Sequence, residues 1–241
     1  MSRSDASIRA SSGNRLLDAL PIREYKRLFP HLERVSLTFR TVLHESDEAI
    51  SYLYFPTSGM LSLLSARDEN GRGMEIAVVG REGMEGLPVL LGTGTTFAQS
   101  MVQVPGEALR VPAAKFRALV GPDSKLHDLL LRYVHVFLTQ LTQGVACNAL
   151  HPVEKRLCRW LLTVHDRATS SRFPVTHEFL ASMLGVRRAS VTEAARRLRQ
   201  AGMIRYGGGQ LTVLNRRGLE SNVCGCYRIV KTALSRMLGE S

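Results

Sequence analysis

A short helix, a glycine and a second, strongly basic helix are predicted in direct succession near the C-terminus. Thr176 is a favourable N-cap for the first helix, in which apolar residues recur at helical spacing. Gly185 then ends that helix, since glycine accepts the left-handed backbone of a tight turn. The second helix, over residues 187–200, would turn Val191 and Leu198 inward and a row of arginines outward. This order predicts a helix-turn-helix, a motif whose second helix enters the major groove of DNA.

The outward side of the second helix carries side chains suited to DNA. Arginine can donate two hydrogen bonds to guanine, glutamate can accept one from cytosine, and hydroxyl groups and helix N-termini hold phosphates. The predicted DNA-contacting residues are Thr176, His177, Arg187, Arg188, Ser190, Val191, Thr192, Glu193, Arg196 and Arg197. The pattern alone also fits an ordinary amphipathic hairpin with solvated charges.

Positive charge is concentrated in the same part of the chain. The formal net charge of the 241 residues is +11. Residues 151–241 contain sixteen Lys and Arg against six Asp and Glu, a net charge of +10, whereas residues 1–150 contain sixteen against fifteen. A basic segment attracts polyanions over long range and gains affinity from counterion release. The distribution favours double-stranded DNA as the partner over a role for the motif in protein binding alone.

A β-hairpin is predicted directly after the second helix. Ile204 enters one strand and Leu211 and Val213 enter the other, with the three glycines at 207–209 as the turn. A helix-turn-helix followed by such a hairpin is a winged helix. Three arginines lie near enough in sequence to help the hairpin contact the DNA backbone: Arg205, Arg216 and Arg217.

The pattern of apolar residues and turn residues before the motif changes from one segment to the next. Residues 15–28 predict a short helix, and residues 35–112 hold short apolar runs between glycine-rich turns, typical of an all-β barrel or jelly roll. Residues 122–150 predict a long helix, and Pro152 separates it from an amphipathic helix over residues 153–167. The predicted division is a disordered leader over residues 1–14, a β domain over residues 15–121, the long helix over residues 122–150 and a DNA-binding domain over residues 151–241.

The N-terminal residues and the hydropathy of the chain bear on its location. Residues 1–14 are rich in serine and lack the apolar stretch of a signal peptide. No apolar run approaches the roughly 20 residues that a membrane helix needs. The sequence therefore predicts a cytoplasmic protein that does not associate with membranes.

The predicted long helix carries apolar residues around much of its circumference. One side would pack on the β domain, and another side is available for a second copy of the chain. A protein that binds DNA as a two-fold symmetric dimer needs a surface on which its two copies pair. The apolar pattern of the helix therefore favours a homodimer over a helix that is covered by the β domain alone. The residues assigned to dimerisation are Leu126, Leu130, Tyr133, Phe137 and Leu141.

Residues 179–204, from Phe-Leu-Ala-Ser-Met-Leu-Gly to Ala-Gly-Met-Ile, resemble the DNA-binding segment of the Crp–Fnr family of regulators. The resemblance implies an α+β fold: an N-terminal β-roll like a cyclic-nucleotide-binding domain, a long dimerisation helix and a C-terminal winged helix-turn-helix. It also implies a homodimeric, sequence-specific regulator of transcription. RNA polymerase and a small-molecule effector stay open as further partners.

The resemblance extends to individual residues of the second helix. Arg188 matches the family's leading base-reading arginine, and Ser190 and Val191 match the hydroxyl residue and valine that follow it. Ala189 stands where the best-known members have a base-reading glutamate, and Glu193 stands where they have a second arginine. The operator is therefore expected to differ from that of the cyclic-AMP receptor.

Family members that bind cyclic nucleotides have a cassette in which a glutamate takes the ribose hydroxyl and an arginine neutralises the phosphate. The candidate ligand-binding residues here are Gly80, Glu82, Gly83 and Glu85. No arginine occurs between Arg81 and Arg110, so a cyclic phosphate would lose its strongest contact. The cassette is therefore interpreted as degenerate, without cyclic-AMP binding. Gating by a cyclic nucleotide or another small ligand stays an alternative, and no cofactor is expected.

The four cysteines give little indication of a metal centre. None precedes Cys147, so the clustered N-terminal cysteines of iron–sulfur members are absent, and the spacing shows no paired metal-ligand framework. Cys224 and Cys226 form a C-x-C pair, and the favoured interpretation is two thiols with only a structural role. A redox-responsive regulator, or a contribution of this pair to metal binding, stays an alternative.

The sequence also bears on catalysis. It has no P-loop, no HExxH motif and no Ser/His/Asp order. Glu82, Glu85 and His44 are scattered, with no spacing that suggests shared chemistry. The prediction is that the chain is not an enzyme.

Overall fold

The computed structural model describes residues 11–66, Glu69 and residues 73–240. The predicted disordered leader therefore lies mostly outside the described residues. Its last part is ordered, because the buried Asn14 donates through Nδ2 to the carbonyl oxygens of Pro56 and Gly83 at 2.8 and 2.9 Å. The prediction of disorder is wrong for residues 11–14, since Asn14 satisfies buried backbone groups on two other segments.

The N-terminal half contains two antiparallel sheets and several short helices. The strands are β1 (Glu33–Leu37), β2 (Val42–His44), β3 (Tyr52–Pro56), β4 (Met60–Leu64), β5 (Glu75–Val79), β6 (Gln99–Val104) and β7 (Gly106–Pro112). The helices are α1 (Arg15–Asp18), α2 (Ile22–Leu28), α3 (Leu87–Leu90) and α4 (Ala113–Leu119), with a 3-10 turn at Phe29–His31. The predicted helix over residues 15–28 is divided in two at Pro21, which has no amide hydrogen to donate.

The two sheets have the strand orders β1-β7-β3 and β2-β6-β4-β5. They pack face to face around an apolar core. The buried residues that meet there are Leu37, Tyr54 and Ala108 from the first sheet and Leu61, Val79 and Val102 from the second. Alternation along each strand turns one face inward, and the result is the predicted β-roll.

A long helix, α5 (Lys125–Leu150), follows the β-roll. Ser124 caps its first turn by accepting a hydrogen bond from the His127 amide at 3.1 Å. The residues that its first half buries against the β-roll are Leu126, Leu129, Leu130, Tyr133 and Val136. The helix ends two residues before Pro152, at the predicted break.

The C-terminal half is a winged helix followed by a long last helix. Its helices are α6 (Val153–His165), α7 (His177–Leu184), α8 (Arg188–Gln200), α9 (Arg216–Asn222) and α10 (Gly225–Leu238). Its strands β8 (Arg172–Pro174), β9 (Ile204–Gly207) and β10 (Gln210–Val213) form a sheet in the order β8-β10-β9. One apolar core joins the inner sides of α6, α7, α8 and this sheet. The predicted architecture of β-roll, long helix and winged helix-turn-helix is confirmed.

The two halves contact each other along several elements. Helix α10 packs along α5, and α7 lies against β5. Met60 and Val78 of the β-roll belong to the same apolar cluster as the core of the winged helix. The winged helix is therefore docked on the β-roll. None of the helices in the described part of the chain is long and apolar enough to cross a membrane.

Candidate nucleic-acid interface

The helix-turn-helix is formed by α7, the turn at Gly185 and α8. The Thr176 hydroxyl accepts a hydrogen bond from the Phe179 amide at 3.1 Å and caps α7, as predicted. Gly185 ends α7 with φ 61°, a left-handed conformation that disfavours other residues. The buried side of α8 consists of Val191, Ala194, Ala195 and Leu198. These contacts fix the direction in which the opposite side of α8 faces.

The N-terminal turn of α8 presents its polar side chains to solvent. Arg187, Arg188, Ser190 and Thr192 are all exposed. Among the described residues, no carboxylate pairs with Arg187 or Arg188. Val191, which the sequence assigned to DNA contact, is fully buried in the core instead. That assignment is wrong, because Val191 anchors α8 and its side chain faces away from the exposed surface.

Glu193 holds two of the predicted DNA-contacting arginines. Its carboxylate accepts hydrogen bonds from Arg196 at 2.7 and 2.9 Å and from Arg197 at 3.1 Å. These hydrogen bonds lower the pKa of Glu193 to about 2. Arg197 also lies 3.6 Å from Glu154 of α6. Arg196 and Arg197 are thus partly neutralised within the chain, unlike Arg187 and Arg188.

His177 connects α7 to α8 and to the wing. Its ring stacks on Tyr206 of β9, with 4.3 Å between centroids, and Nδ1 lies 2.9 Å from the Thr192 hydroxyl. Burial, and then the positive charge of Arg188, lower its pKa below the ordinary value. His177 is therefore neutral at pH 7, and it positions the surface of α8 without adding charge to it.

The wing is the two-residue hairpin between β9 and β10. Gly208 and Gly209 form its turn, with φ of 58° and 70°, which favours glycine at both positions. Arg205, in β9, and Arg217, in α9, are exposed. Arg216, predicted to help contact DNA, instead donates hydrogen bonds to Asp166, Glu220 and Tyr227. Its guanidinium joins α9 to α6 and α10, so that prediction is wrong.

Two of the candidate ligand-binding residues are glutamates with partners inside the protein. Arg167, after α6, donates two hydrogen bonds to Glu82 at 2.5 and 2.9 Å, and both side chains are at least 91% buried. Glu85 Oε2 lies 2.5 Å from Nε2 of the buried His44. The interpretation of Glu82, Glu85 and His44 as scattered is therefore wrong for Glu85 and His44, which the fold brings together from two segments that are far apart in sequence.

The two candidate glycines permit close packing. A Cβ on Gly80 would lie 2.7 Å from the Arg167 side chain, and a Cβ on Gly83 would overlap the Tyr133 ring. The Tyr133 hydroxyl donates to the Met84 carbonyl oxygen at 3.0 Å. Contacts within the chain therefore account for both glycines without a bound phosphate.

The predicted dimerisation residues divide between the core and the surface. Leu126, Leu130 and Tyr133 are buried against the β-roll, so their assignment to a pairing surface is wrong. Phe137 and Leu141 are partly exposed. The large apolar side chains of α5 that are exposed are Leu131, Leu138, Val145 and Leu150, at 48%, 53%, 72% and 76%. The first three recur every seven residues and form a stripe along the helix.

A cluster of sulfur and imidazole ligands lies where α5, α6 and α10 meet. The ligand atoms of Cys147, His151, Cys224 and Cys226 are all within 4.8 Å of one another. The spacing of the cysteines in sequence shows no paired framework here, because the two halves of the cluster are more than seventy residues apart. The signals present in the sequence were the i, i+4 spacing of Cys147 and His151 and the C-x-C pair.

A cavity of about 520 Å³ lies between the β-roll and the winged helix. Residues of β5, α5, α6 and α10 line it. Its charged lining includes Glu75, Arg81, Arg159 and Arg167. Burial raises the pKa of Glu75 to about 7, although Ser62 donates a hydrogen bond to it at 2.6 Å. The cavity thus combines a largely apolar lining with a few charged groups, and it borders the Glu82–Arg167 ion pair.

Comparisons with known proteins agree with this geometry. A cyclic nucleotide-binding domain model matches residues 34–123, and a Crp-like helix-turn-helix domain model matches residues 155–221. A crp/fnr-family protein from Eubacterium rectale has 17% identity and a TM-score of 0.68, covering 86% of this chain and 96% of its own. FixK2 from Bradyrhizobium japonicum has 16% identity and a TM-score of 0.66, covering 80% of this chain and 98% of its own.

A CRP/FNR-family transcriptional regulator from Thermus thermophilus is also similar. It has 22% identity and a TM-score of 0.63, covering 79% of this chain and 97% of its own. At these identities the likeness concerns the fold. The sequence has no significant match among curated proteins.

Proposed function

The chain belongs to the Crp–Fnr family of transcriptional regulators, and from this premise we propose that it acts as a homodimer on near-palindromic DNA sites. Each α8 enters a major groove, and Arg188 reads a base. Arg187 and Ser190 hold the adjacent backbone, while Arg205 and Arg217 contact phosphates through the wing region.

The observation that carries this proposal is the contrast between two groups of arginines on α8. Arg187 and Arg188 are exposed and have no carboxylate partner among the described residues, whereas Glu193 binds Arg196 and Arg197. An unpaired guanidinium is free to donate two parallel hydrogen bonds to a guanine edge. Base reading is therefore assigned to the N-terminal end of α8, and Arg196 and Arg197 supply phosphate contacts when DNA competes with Glu193.

The pairing surface is assigned to the exposed stripe of α5. Leu131, Leu138 and Val145 lie at one coiled-coil position, and Val134 and Leu141 lie three residues after the first two. Apolar residues at these alternating spacings pack knobs into holes between parallel helices. Parallel pairing gives the two-fold symmetry of a palindromic site, with the two α8 helices about 34 Å apart.

Base reading by Arg188 can be tested by selecting binding sites from random duplexes. Wild-type protein should enrich two inverted half-sites, and Arg188→Ala should lose roughly 1–3 kcal/mol of discrimination at one base pair of each. Arg199→Ala is the matched control, since it removes the same charge from the C-terminal end of α8 and should leave the enriched sequence unchanged. An unchanged preference in Arg188→Ala would refute the assignment.

We propose that cyclic AMP is not the signal. Glu82 and Glu85 face Arg167 and His44, and no arginine lies between Arg81 and Arg110 to neutralise a phosphate. A different effector could enter the cavity between the β-roll and the winged helix. Cyclic AMP and cyclic GMP should leave the melting temperature of the protein unchanged, and a dose-dependent rise with either would contradict this proposal.

A further inference from the structure

Four potential metal ligands converge at the joint between the long helix and the winged helix. Cys147 and His151 lie one turn apart at the C-terminal end of α5. Cys224 directly precedes α10, and Cys226 lies in its first turn. All four ligand atoms lie within 4.8 Å of one another. Two distant segments of the chain therefore each contribute a closely spaced pair.

The distances fit a tetrahedral site. Ligand atoms bound at about 2.1–2.3 Å from a tetrahedral zinc ion are roughly 3.5–3.8 Å apart. Cys147 Sγ lies 3.5 Å from Cys224 Sγ, and Cys226 Sγ lies 3.8 Å from His151 Nδ1. Three thiolates and one imidazole are a donor set of structural zinc sites, which have no open position for substrate. The chemistry of the donors thus favours zinc over magnesium or calcium, which prefer oxygen ligands.

Burial and charge support the same interpretation. The three cysteines are buried, and His151 is half-buried at the edge of the cluster. Zinc with three thiolates and a neutral imidazole has a net charge of −1, which needs compensation in a buried place. Arg159 of α6 supplies positive charge close to Cys147 and Cys226, and its Nε is buried without a hydrogen-bond partner.

We propose that this chain binds one structural zinc ion through Cys147, His151, Cys224 and Cys226. Binding exchanges the thiol protons for the metal, so up to three protons pass to the solvent as the zinc–sulfur bonds form. The ion joins the end of α5 to the start of α10, next to the turn that leads into α6. It therefore fixes the orientation of the winged helix relative to the long helix.

The primary test is the metal content of the full-length protein, purified under reducing conditions without chelators. Elemental analysis should give about one zinc ion per chain. Replacement by Co²⁺ should produce the strong visible bands of a tetrahedral site and the near-ultraviolet bands of sulfur-to-cobalt charge transfer. Absence of bound zinc together with failure to take up Co²⁺ would overturn the proposal. So would a Cys147–Cys224 disulfide whose reduction is not followed by any metal uptake.

Matched variants locate the site. Cys226→Ser and His151→Ala should lose most of the zinc and weaken the charge-transfer bands, whereas Cys158→Ser should keep both, because Cys158 is buried nearby in α6 but lies outside the cluster. A chelator should lower the melting temperature of wild-type protein and of Cys158→Ser, but not that of Cys226→Ser. Equal zinc content in all four proteins would also overturn the proposal. None of these measurements depends on DNA binding.

Discussion

Glu82 illustrates how one residue can match a ligand pattern and serve another purpose. It lies in the segment that resembles a nucleotide cassette, yet its carboxylate accepts two hydrogen bonds from Arg167. Arg167 also donates to the Thr163 carbonyl oxygen at 2.9 Å. The pair joins the β-roll to the end of α6. A buried ion pair of this kind is costly to break on one side, since the remaining charge loses its compensation.

Glu82→Ala should therefore destabilise the protein by about 3–5 kcal/mol, measured by urea unfolding. The double variant Glu82→Ala with Arg167→Met should recover part of that loss, because it leaves no unpaired charge. Glu107→Ala is the control for an exposed ion pair, with Arg34, and should cost less than about 1 kcal/mol. Equal, small effects of Glu82→Ala and Glu107→Ala would contradict the role assigned to Glu82.

Glu193 should restrain non-specific DNA binding. Glu193→Gln removes the charge that holds Arg196 and Arg197, so both become available to phosphates. We expect a several-fold higher affinity for random duplex at low salt, and a salt dependence of log K steeper by about 1–2. Fluorescence anisotropy titrations at several salt concentrations measure both quantities.

The control for this prediction is Glu178→Gln, an exposed residue in the first turn of α7. It removes the same charge from the helix-turn-helix without releasing an arginine, so its salt dependence should match the wild type. If both variants changed affinity equally, only net charge would matter, and the pairing of Glu193 would have no separate effect.

Sequence patterns predicted well which residues of α8 are exposed, but they predicted poorly which hydrogen-bond and ion-pair partners the arginines have. Helical periodicity indicated which side of α8 faces solvent, and it indicated the buried side as well. Arg216 shows the limit of such patterns, since its partners Asp166 and Tyr227 come from α6 and α10. Only the packing of those helices brings the acceptors within reach.

At the scale of elements, local signals predicted most of the helices and several strands. Three strands lacked a clear local signal: β2 and β8, which have three residues each, and β7, in which Arg110 and Pro112 interrupt the apolar pattern. Strand β7 nevertheless lies at the centre of its sheet, paired on both sides. The cysteine cluster was missed for a related reason, because pairing between distant segments leaves little local signal.

The stripe on α5 allows a prediction about assembly. Leu138→Lys places a charge at the middle of the proposed seam, where burial without a partner is unfavourable. We expect the protein to shift from dimer to monomer in sedimentation experiments at micromolar concentration, and to lose most of its affinity for a palindromic site. A single half-site should be bound by wild-type protein and variant with similar, weak affinity.

Arg132→Glu tests whether a change elsewhere on the exposed part of α5 has the same effect. Arg132 is exposed and adjacent to the stripe in sequence, but points to another side of the helix. Dimer formation should survive this reversal of charge. A dimeric Leu138→Lys protein would exclude the stripe as the pairing surface and direct attention to other surfaces of the chain.

At the scale of the whole molecule, the cavity between the two halves combines charge with burial. Glu75 begins β5 and faces Ser62 of β4, while Arg159, Trp160 and Arg167 approach from α6 and the residues after it. Burial outweighs the stabilising hydrogen bond and positive charges, so the pKa of Glu75 rises to about 7. The docking of the winged helix on the β-roll is thereby linked to the protonation of one carboxyl group.

The sign of this linkage follows from proton counts. Between about pH 4.5, the ordinary pKa of the glutamate, and pH 7, the folded protein keeps a proton on Glu75 that the unfolded chain has released. The contribution of Glu75 to stability is therefore complete below pH 4.5 and is lost as pH rises through 7. A shift of this size corresponds to about 3 kcal/mol at most, and partial access of water to the cavity makes the effect smaller.

Glu75→Gln keeps the shape of the side chain but removes its ionisable carboxyl group. The difference in unfolding free energy between wild type and variant therefore reports the contribution of this group alone. The difference should be small at pH 5 and should grow in favour of the variant by about 1–3 kcal/mol by pH 8, as followed by urea unfolding across that range. Other titrating groups, such as His165 and His177 with their lowered pKa values, act equally in both proteins and cancel. A difference that stays constant with pH would mean that Glu75 is ionised throughout, and that its charge is already compensated by Arg159 and Arg167.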